Sequence, residues 1–129
     1  MKKILLLSSL CLLAFTSVKS QVQWPAAKAT SLTISTSGTT ALTISNSYNY
    51  VATAPTLTGN ITVSLTPATN LRAGAIIALS VKTTSTETTT FAGSIIAPVV
   101  TGSAGKTWSQ AFYYNGTYFY PFGAKIQID

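Results

Sequence analysis

Almost every group that enzymes use to move protons is missing from this sequence. It has no histidine, two acidic residues, Glu87 and Asp129, and one cysteine, Cys11. Acid–base catalysis calls for a positioned imidazole, carboxylate, amine or phenol. Glu87 stands in a run of threonines and Asp129 is the last residue, so a glycosidase-type pair of facing carboxylates is not expected. Neither a Ser-His or Cys-His nucleophile nor a zinc ligand set can be built from what remains. The sequence predicts a non-enzyme with no catalytic residues, no metal and no cofactor.

Two short motifs invite a catalytic reading and fail it. Gly105-Lys106-Thr107 matches the end of a phosphate-binding loop, G-x-x-x-x-G-K-[ST], but its first glycine would fall at Val100. Such a loop also opens a helix, whereas Trp108 onward alternates like a strand. Ser103-Ala104-Gly105-Lys106 fits S-x-x-K, which needs a helix to bring its serine and lysine together, and the companion motifs are absent. Both stretches read as a Gly-rich turn. Thr-rich strands raise the further idea of an ice-matching ladder, which needs one Thr column repeated over many coils. Residues 32–35 and 42–45 are both LTIS, but the repeat stops there, and threonine is a good strand former on a wet face.

The chemistry that is plentiful is aromatic. Residues 107–122, TWSQAFYYNGTYFYPF, flank Asn115-Gly116, the pair that a two-residue type I′ turn prefers. Folding there would set Tyr114 against Thr117, Tyr113 against Tyr118, Phe112 against Phe119 and Ala111 against Tyr120. One face then carries Trp108, Phe112, Tyr114 and Phe119, the other Tyr113, Tyr118, Tyr120 and Phe122. A ribbon apolar on both sides is unstable alone in water, so the rest of the chain must cover at least one face. Trp108, Phe112 and Phe119, the less hydroxylated set, are the expected core. Tyr113, Tyr118 and Tyr120 are the candidate ligand or interface residues, since a ring with a wet end suits sugar stacking or a protomer contact. The alternative is that both faces are buried between two sheets.

The elements around this ribbon are short. Lys2 and Lys3, the apolar run 4–15 and the small-residue site at 18–20 form a signal-peptide pattern. The run falls short of the ~20 residues that span a bilayer. Residues 1–20 are therefore expected to leave a secreted chain, extracellular or on the cell surface, with no membrane segment. Cys11 is an ordinary member of the signal core, so the exported domain has no disulfide. Its cations, Lys28, Arg72, Lys82, Lys106 and Lys125, are scattered singly. Nucleic acid is thus not expected as a partner, because it needs clustered charge.

Residues 21–30 read as an arm and 31–129 as one domain. Strands are expected at 32–35, 42–45 and 48–52, with Gly38 as a turn, then at 56–66, interrupted by Gly59-Asn60 and ended by Pro67. Another follows at 75–82, then a polar tip over 82–90. Residues 91–102, punctuated by Gly93, Pro98 and Gly102, read as an irregular edge. Gly123 turns the chain into a last strand at 125–128. No long window has a 3.6-residue period. The fold class is all-β: a single antiparallel β-sandwich or jelly-roll-like domain.

Residues 56–84, TLTGNITVSLTPATNLRAGAIIALSVKTT, together with the Trp108–Phe122 ribbon, resemble a module of bacteriophage tail-fibre and receptor-binding proteins. The likeness lies in an L-T-G-N-I-T strand, a proline, an Ala-Gly loop, an A-L-S-V-K strand and a Thr-rich tip. A Thr90-Phe91 step and a closing F-x-Y-[DN]-G-T hairpin complete it. The resemblance implies a β-rich, non-enzymatic fibre component that attaches to surface glycans or proteins, often as a trimer. Behind a signal peptide it implies an exported relative displayed outside the cell. The expected function is thus a secreted binding or adhesion module for a glycan or protein. The alternative is a self-assembling subunit of an extracellular filament, a homo-oligomer built by strand addition.

Overall fold

A computed structural model describes residues 29–128. The expected signal peptide (1–20), most of the expected arm (21–28) and Asp129 lie outside the described residues.

The described residues form nine strands and no helix. The strands are β1 (Ala29–Leu32), β2 (Gly38–Ile44), β3 (Tyr48–Val51), β4 (Ile61–Pro67), β5 (Ile76–Lys82), β6 (Thr88–Gly93), β7 (Val100–Thr101), β8 (Thr107–Tyr114) and β9 (Phe119–Ile128). They make two sheets: sheet A in the order β1-β3-β5-β8-β9 and sheet B in the order β2-β4-β6-β7. Among the described residues no helix is long and apolar enough to cross a membrane.

The all-β class is as the sequence predicts; the strand directions are not. From β1 to β6 the chain changes sheet at every strand, so β1, β3 and β5 run parallel in sheet A. β2, β4 and β6 do the same in sheet B. Parallel neighbours need a long crossover, normally a helix. Here the opposite sheet's strand is that crossover. Antiparallel pairing begins only with β5–β8, β8–β9 and β6–β7. The expected single antiparallel sandwich is therefore corrected to two mixed sheets. Period-2 alternation assigns a residue to a face but carries no strand direction, so both arrangements share one pattern.

One core lies between the sheets. Sheet A contributes Leu32, Val51, Ile77, Leu79, Val81, Trp108, Phe112 and Phe119, and sheet B contributes Ile44, Ile61, Val63 and Leu65. Phe91 of β6 meets Trp108 and Phe112 of β8 edge-on, at centroid distances of 6.4 and 5.3 Å, a favoured aromatic geometry. The three expected core aromatics are thus buried together.

Several boundaries move. Ala29 and Thr30, read as the end of the arm, begin β1 beside Tyr48 and Asn49. Gly38 opens β2 instead of turning a hairpin; its φ of +72° lets its N–H reach Asn60 O at 3.0 Å. Thr88–Gly93 is an interior strand, so the polar tip shrinks and Phe91 leaves the expected edge. β9 runs unbroken through Gly123, where a register slip opposite Ser109 and Ala111 replaces the expected turn.

Candidate functional site

The ribbon doubles back where the sequence places it, in a different register. Tyr114 pairs with Phe119, Tyr113 with Tyr120 and Phe112 with Pro121, so the loop is Asn115–Tyr118 and the pairing of Tyr113 with Tyr118 is corrected. A type I′ turn needs φ > 0 at both central residues, and among the described residues only glycines have it. Asn115 uses its side chain instead: Oδ1 accepts from the N–H groups of Thr117 and Tyr118, both at 2.8 Å. This is the local competition for backbone donors that makes asparagine a turn residue. Asn115 N also donates to Tyr118 O at 3.0 Å, and Tyr114 OH to Gly116 O at 2.8 Å. The slip is two residues, so the side chains that stay in the two strands keep their faces, while Tyr118 passes into the loop.

Facing away from the core, sheet A carries an aromatic shelf. Reading across strands, one row is Tyr48, Ile76, Tyr113 and Tyr120, and the next is Tyr50, Ala78, Ala111 and Phe122. Tyr113 and Tyr120 stack at 5.9 Å and 29°, and Tyr48 and Tyr50 at 5.9 Å and 21°. Tyr113 is 39% exposed and Phe122 61%, so this face is open, not buried between sheets. The third row is Ser80 and Ser109, whose hydroxyls meet at 2.6 Å, with Ile126 beyond. Between the rows a cavity of about 400 Å³ is floored by Ala78 and Ala111 and walled by Phe122 and Ile126. Small side chains on the two central strands make the trough, and the register slip at Gly123 sets its outer wall.

Of the three candidate tyrosines, the structure brings Tyr113 and Tyr120 together. Tyr118 stands apart in the loop, exposed. Sequence reasoning missed Tyr48, Tyr50, Ser80 and Ser109. The Tyr-Asn-Tyr alternation at 48–50 puts both rings on one face, but only the parallel pairing of β3 with β5 sets that face beside the ribbon. Asn49, pointing inward and buried, donates through Nδ2 to Asn46 O at 2.7 Å and fixes the loop that delivers β3.

The shelf holds no carboxylate, and Lys82 lies at its far end, paired with Thr107. Remote from the shelf, Glu87 is held below its ordinary pKa, chiefly by the Thr84 hydroxyl and then by the Ser85 amide. Among the described residues no three metal-ligating side chains cluster. Ser103–Lys106 is a turn between β7 and β8, closed by Lys106 N to Ser103 O at 3.0 Å. Neither rejected motif opens a helix there.

The outer face of sheet B differs. Thr39, Thr62 and Thr90 line up across three parallel strands, and Ala41, Ser64 and Ala92 form the next row. Unequal sequence intervals hide this row from a repeat search. It is three strands wide and interrupted by alanines, in keeping with a solvated face of good strand formers.

Comparison of the chain with protein-family models, with curated proteins and with solved structures found no match.

Proposed function

We propose that this protein is a non-catalytic binding module that works outside the cell, with the outer face of sheet A as its contact surface. The observation that carries the reading is the register-aligned pair of tyrosine stacks, Tyr113–Tyr120 and Tyr48–Tyr50. Stacked rings with hydroxyl tips offer a flat apolar area at small entropic cost, and their polar ends find partners in water or in a ligand. A pyranose ring has the matching character: an apolar C–H face and a rim of hydroxyls. The trough over Ala78 and Ala111 gives a second ring room, and Ser80 and Ser109 offer hydrogen bonds at its side. No charged side chain stands in the two tyrosine rows, which favours a neutral glycan over a polyanion. The resemblance of residues 56–122 to tail-fibre modules and the export pattern at 1–20 point the same way. A glycan array probed with the protein and with Tyr113→Ala, Tyr120→Ala and Tyr48→Ala tests this. Each substitution is expected to weaken the positive signals about fivefold, and Tyr118→Ala to leave them nearly intact, because one lost stacking contact is worth ~1 kcal/mol. Full binding by the double variant Tyr113→Ala/Tyr120→Ala refutes the assignment.

A second reading, a self-assembling fibre subunit, rests on β9. Its outer edge is open beyond Phe119, and Phe122, Ile126 and Ile128 are exposed along it, the profile of a strand that pairs with another chain. Light scattering after size exclusion, across a hundredfold range of concentration, separates the two: a constant monomer mass removes the fibre reading.

A further inference from the structure

Along one side of the sandwich the two sheets part. Just before that point they are stitched together: Phe119 N donates to Ser94 O at 2.7 Å, Ile96 N to Phe119 O at 2.9 Å, and Ser94 N to Leu65 O at 2.8 Å. Past the stitch, residues 97–100 leave β9 for sheet B, and a crevice of about 350 Å³ opens between β7 and β9. Its apolar lining comes from both sheets. Phe91 and Phe112 meet edge-on at 5.3 Å, Pro98 and Val99 stand on one side and Pro121 on the other. This size lies at the lower end of the range for small-molecule sites, and an apolar lining with few polar groups is their usual composition.

The polar groups of the crevice are unequal. Gln110 turns its Nε2 to the carbonyls of Ala111, Phe122 and Gly123, at 3.0, 3.3 and 3.1 Å, and so holds the slipped part of β9 in place. Lys125, on that same slipped stretch, is the only charged residue of the lining. Among the described residues no carboxylate lines the crevice to balance it. The described acid, Glu87, is folded onto its own loop, hydrogen-bonded to Thr84 and Ser85.

We propose that this crevice binds an amphiphilic carboxylate, its hydrocarbon part between Phe91, Phe112 and Pro121 and its anionic head at Lys125. Charge complementarity selects this occupant: a neutral hydrocarbon would leave the cation unused, and a cationic amphiphile would be repelled by it. The site is separate from the tyrosine shelf and stands whether or not the shelf binds sugar.

The test is titration of the isotope-labelled protein with octanoate, and separately with 1-octanol, read by amide NMR shifts. Saturable octanoate binding with shifts at Phe91, Val99, Val100 and Lys125 is expected, and octanol is expected to bind about fivefold more weakly, the worth of one solvent-exposed ion pair. Lys125→Gln should bring octanoate down to the octanol value, and raised salt should do the same to the unmodified protein. Lys82→Gln, which removes the same charge elsewhere, should change nothing. The proposal is overturned by no saturable octanoate binding, by equal affinities for acid and alcohol, by an unaffected Lys125→Gln variant, or by shifts confined to Tyr48, Tyr113 and Tyr120.

Discussion

Gly93 and Gly105 make a matched pair for weighing steric crowding against backbone conformation. Their φ angles are nearly equal, +71° and +74°. Both lie in the left-handed region, where an L side chain costs ~1–2 kcal/mol. Their surroundings differ. A Cβ at Gly105 would meet nothing within 4 Å, whereas at Gly93 it would lie 2.5 Å from Leu65 O and 2.9 Å from Ser64 Oγ. Leu65 O cannot easily retreat, since it accepts the Ser94 N–H at 2.8 Å and belongs to β4, an interior strand of sheet B. Forced overpacking of this kind costs ~1–3 kcal/mol. Gly105→Ala is therefore expected to lose ~1–2 kcal/mol, and Gly93→Ala ~2–5 kcal/mol, from the two contributions together. Urea unfolding at fixed temperature, followed by far-UV circular dichroism, measures both, and the gap corresponds to at least ~4 °C in Tm for a domain of this size. Losses equal to within ~0.5 kcal/mol, the usual scatter of such comparisons, would refute the crowding argument and place the whole cost in the backbone.

Other expectations follow from single contacts. Thr89 is fully buried and its Oγ1 has no hydrogen-bond partner, so the isosteric Thr89→Val should raise stability by ~1 kcal/mol. Thr83 is as deeply buried, but its hydroxyl reaches the carbonyls of Ser103 and Lys106 at 2.5 and 3.2 Å. Thr83→Val should therefore destabilise by ~1–3 kcal/mol, and the same sign for both variants in thermal melts would contradict the pairing described. Phe112→Ala removes a ring with no exposed surface from the contact between the sheets and should cost ~3–5 kcal/mol, again read by urea unfolding. Because Thr84 and Ser85 depress the pKa of Glu87 in the folded state, that carboxylate supports the fold above its unfolded pKa and ceases to as pH falls through the folded value. Glu87→Gln should flatten the acid side of the Tm–pH curve, and parallel curves for the two proteins from about pH 6 to about pH 3 would remove Glu87 from the account.

What the sequence made legible was which residues face inward. Alternation in 107–114 buried Trp108, Phe112 and Tyr114, and that in 61–66 buried Ile61, Val63 and Leu65. Even a loop of the wrong length around Asn115 left these assignments intact, since a slip of two residues preserves the face. Direction and partner were not legible. Tyr48 meets Ile76 across a parallel pair, and the strand that makes this possible, β4, belongs to the other sheet. The shelf was half readable for the same reason: Tyr113 and Tyr120 share a hairpin, but Tyr48 and Tyr50 reach them only through β5. Phe91 was misplaced because the glycines and prolines that follow it suggested an edge. Only one glycine lies within the strand, Gly93, and it closes β6 instead of interrupting it.

The winding of β1 to β6 has a consequence for how the molecule forms. As the polypeptide is made, β1 has nothing to pair with until β3 appears, and β2 must wait for β4. Ladders between segments distant in sequence are slow to nucleate, because the closure entropy of each loop is spent before any contact rewards it. The consecutive antiparallel pairs β6–β7 and β8–β9 are the exceptions, and the longer of them is the β8–β9 ribbon, closed by the short loop 115–118. That ribbon is thus the part best equipped to form early, and β5, which pairs with it antiparallel, offers the edge to which β3 and then β1 would add.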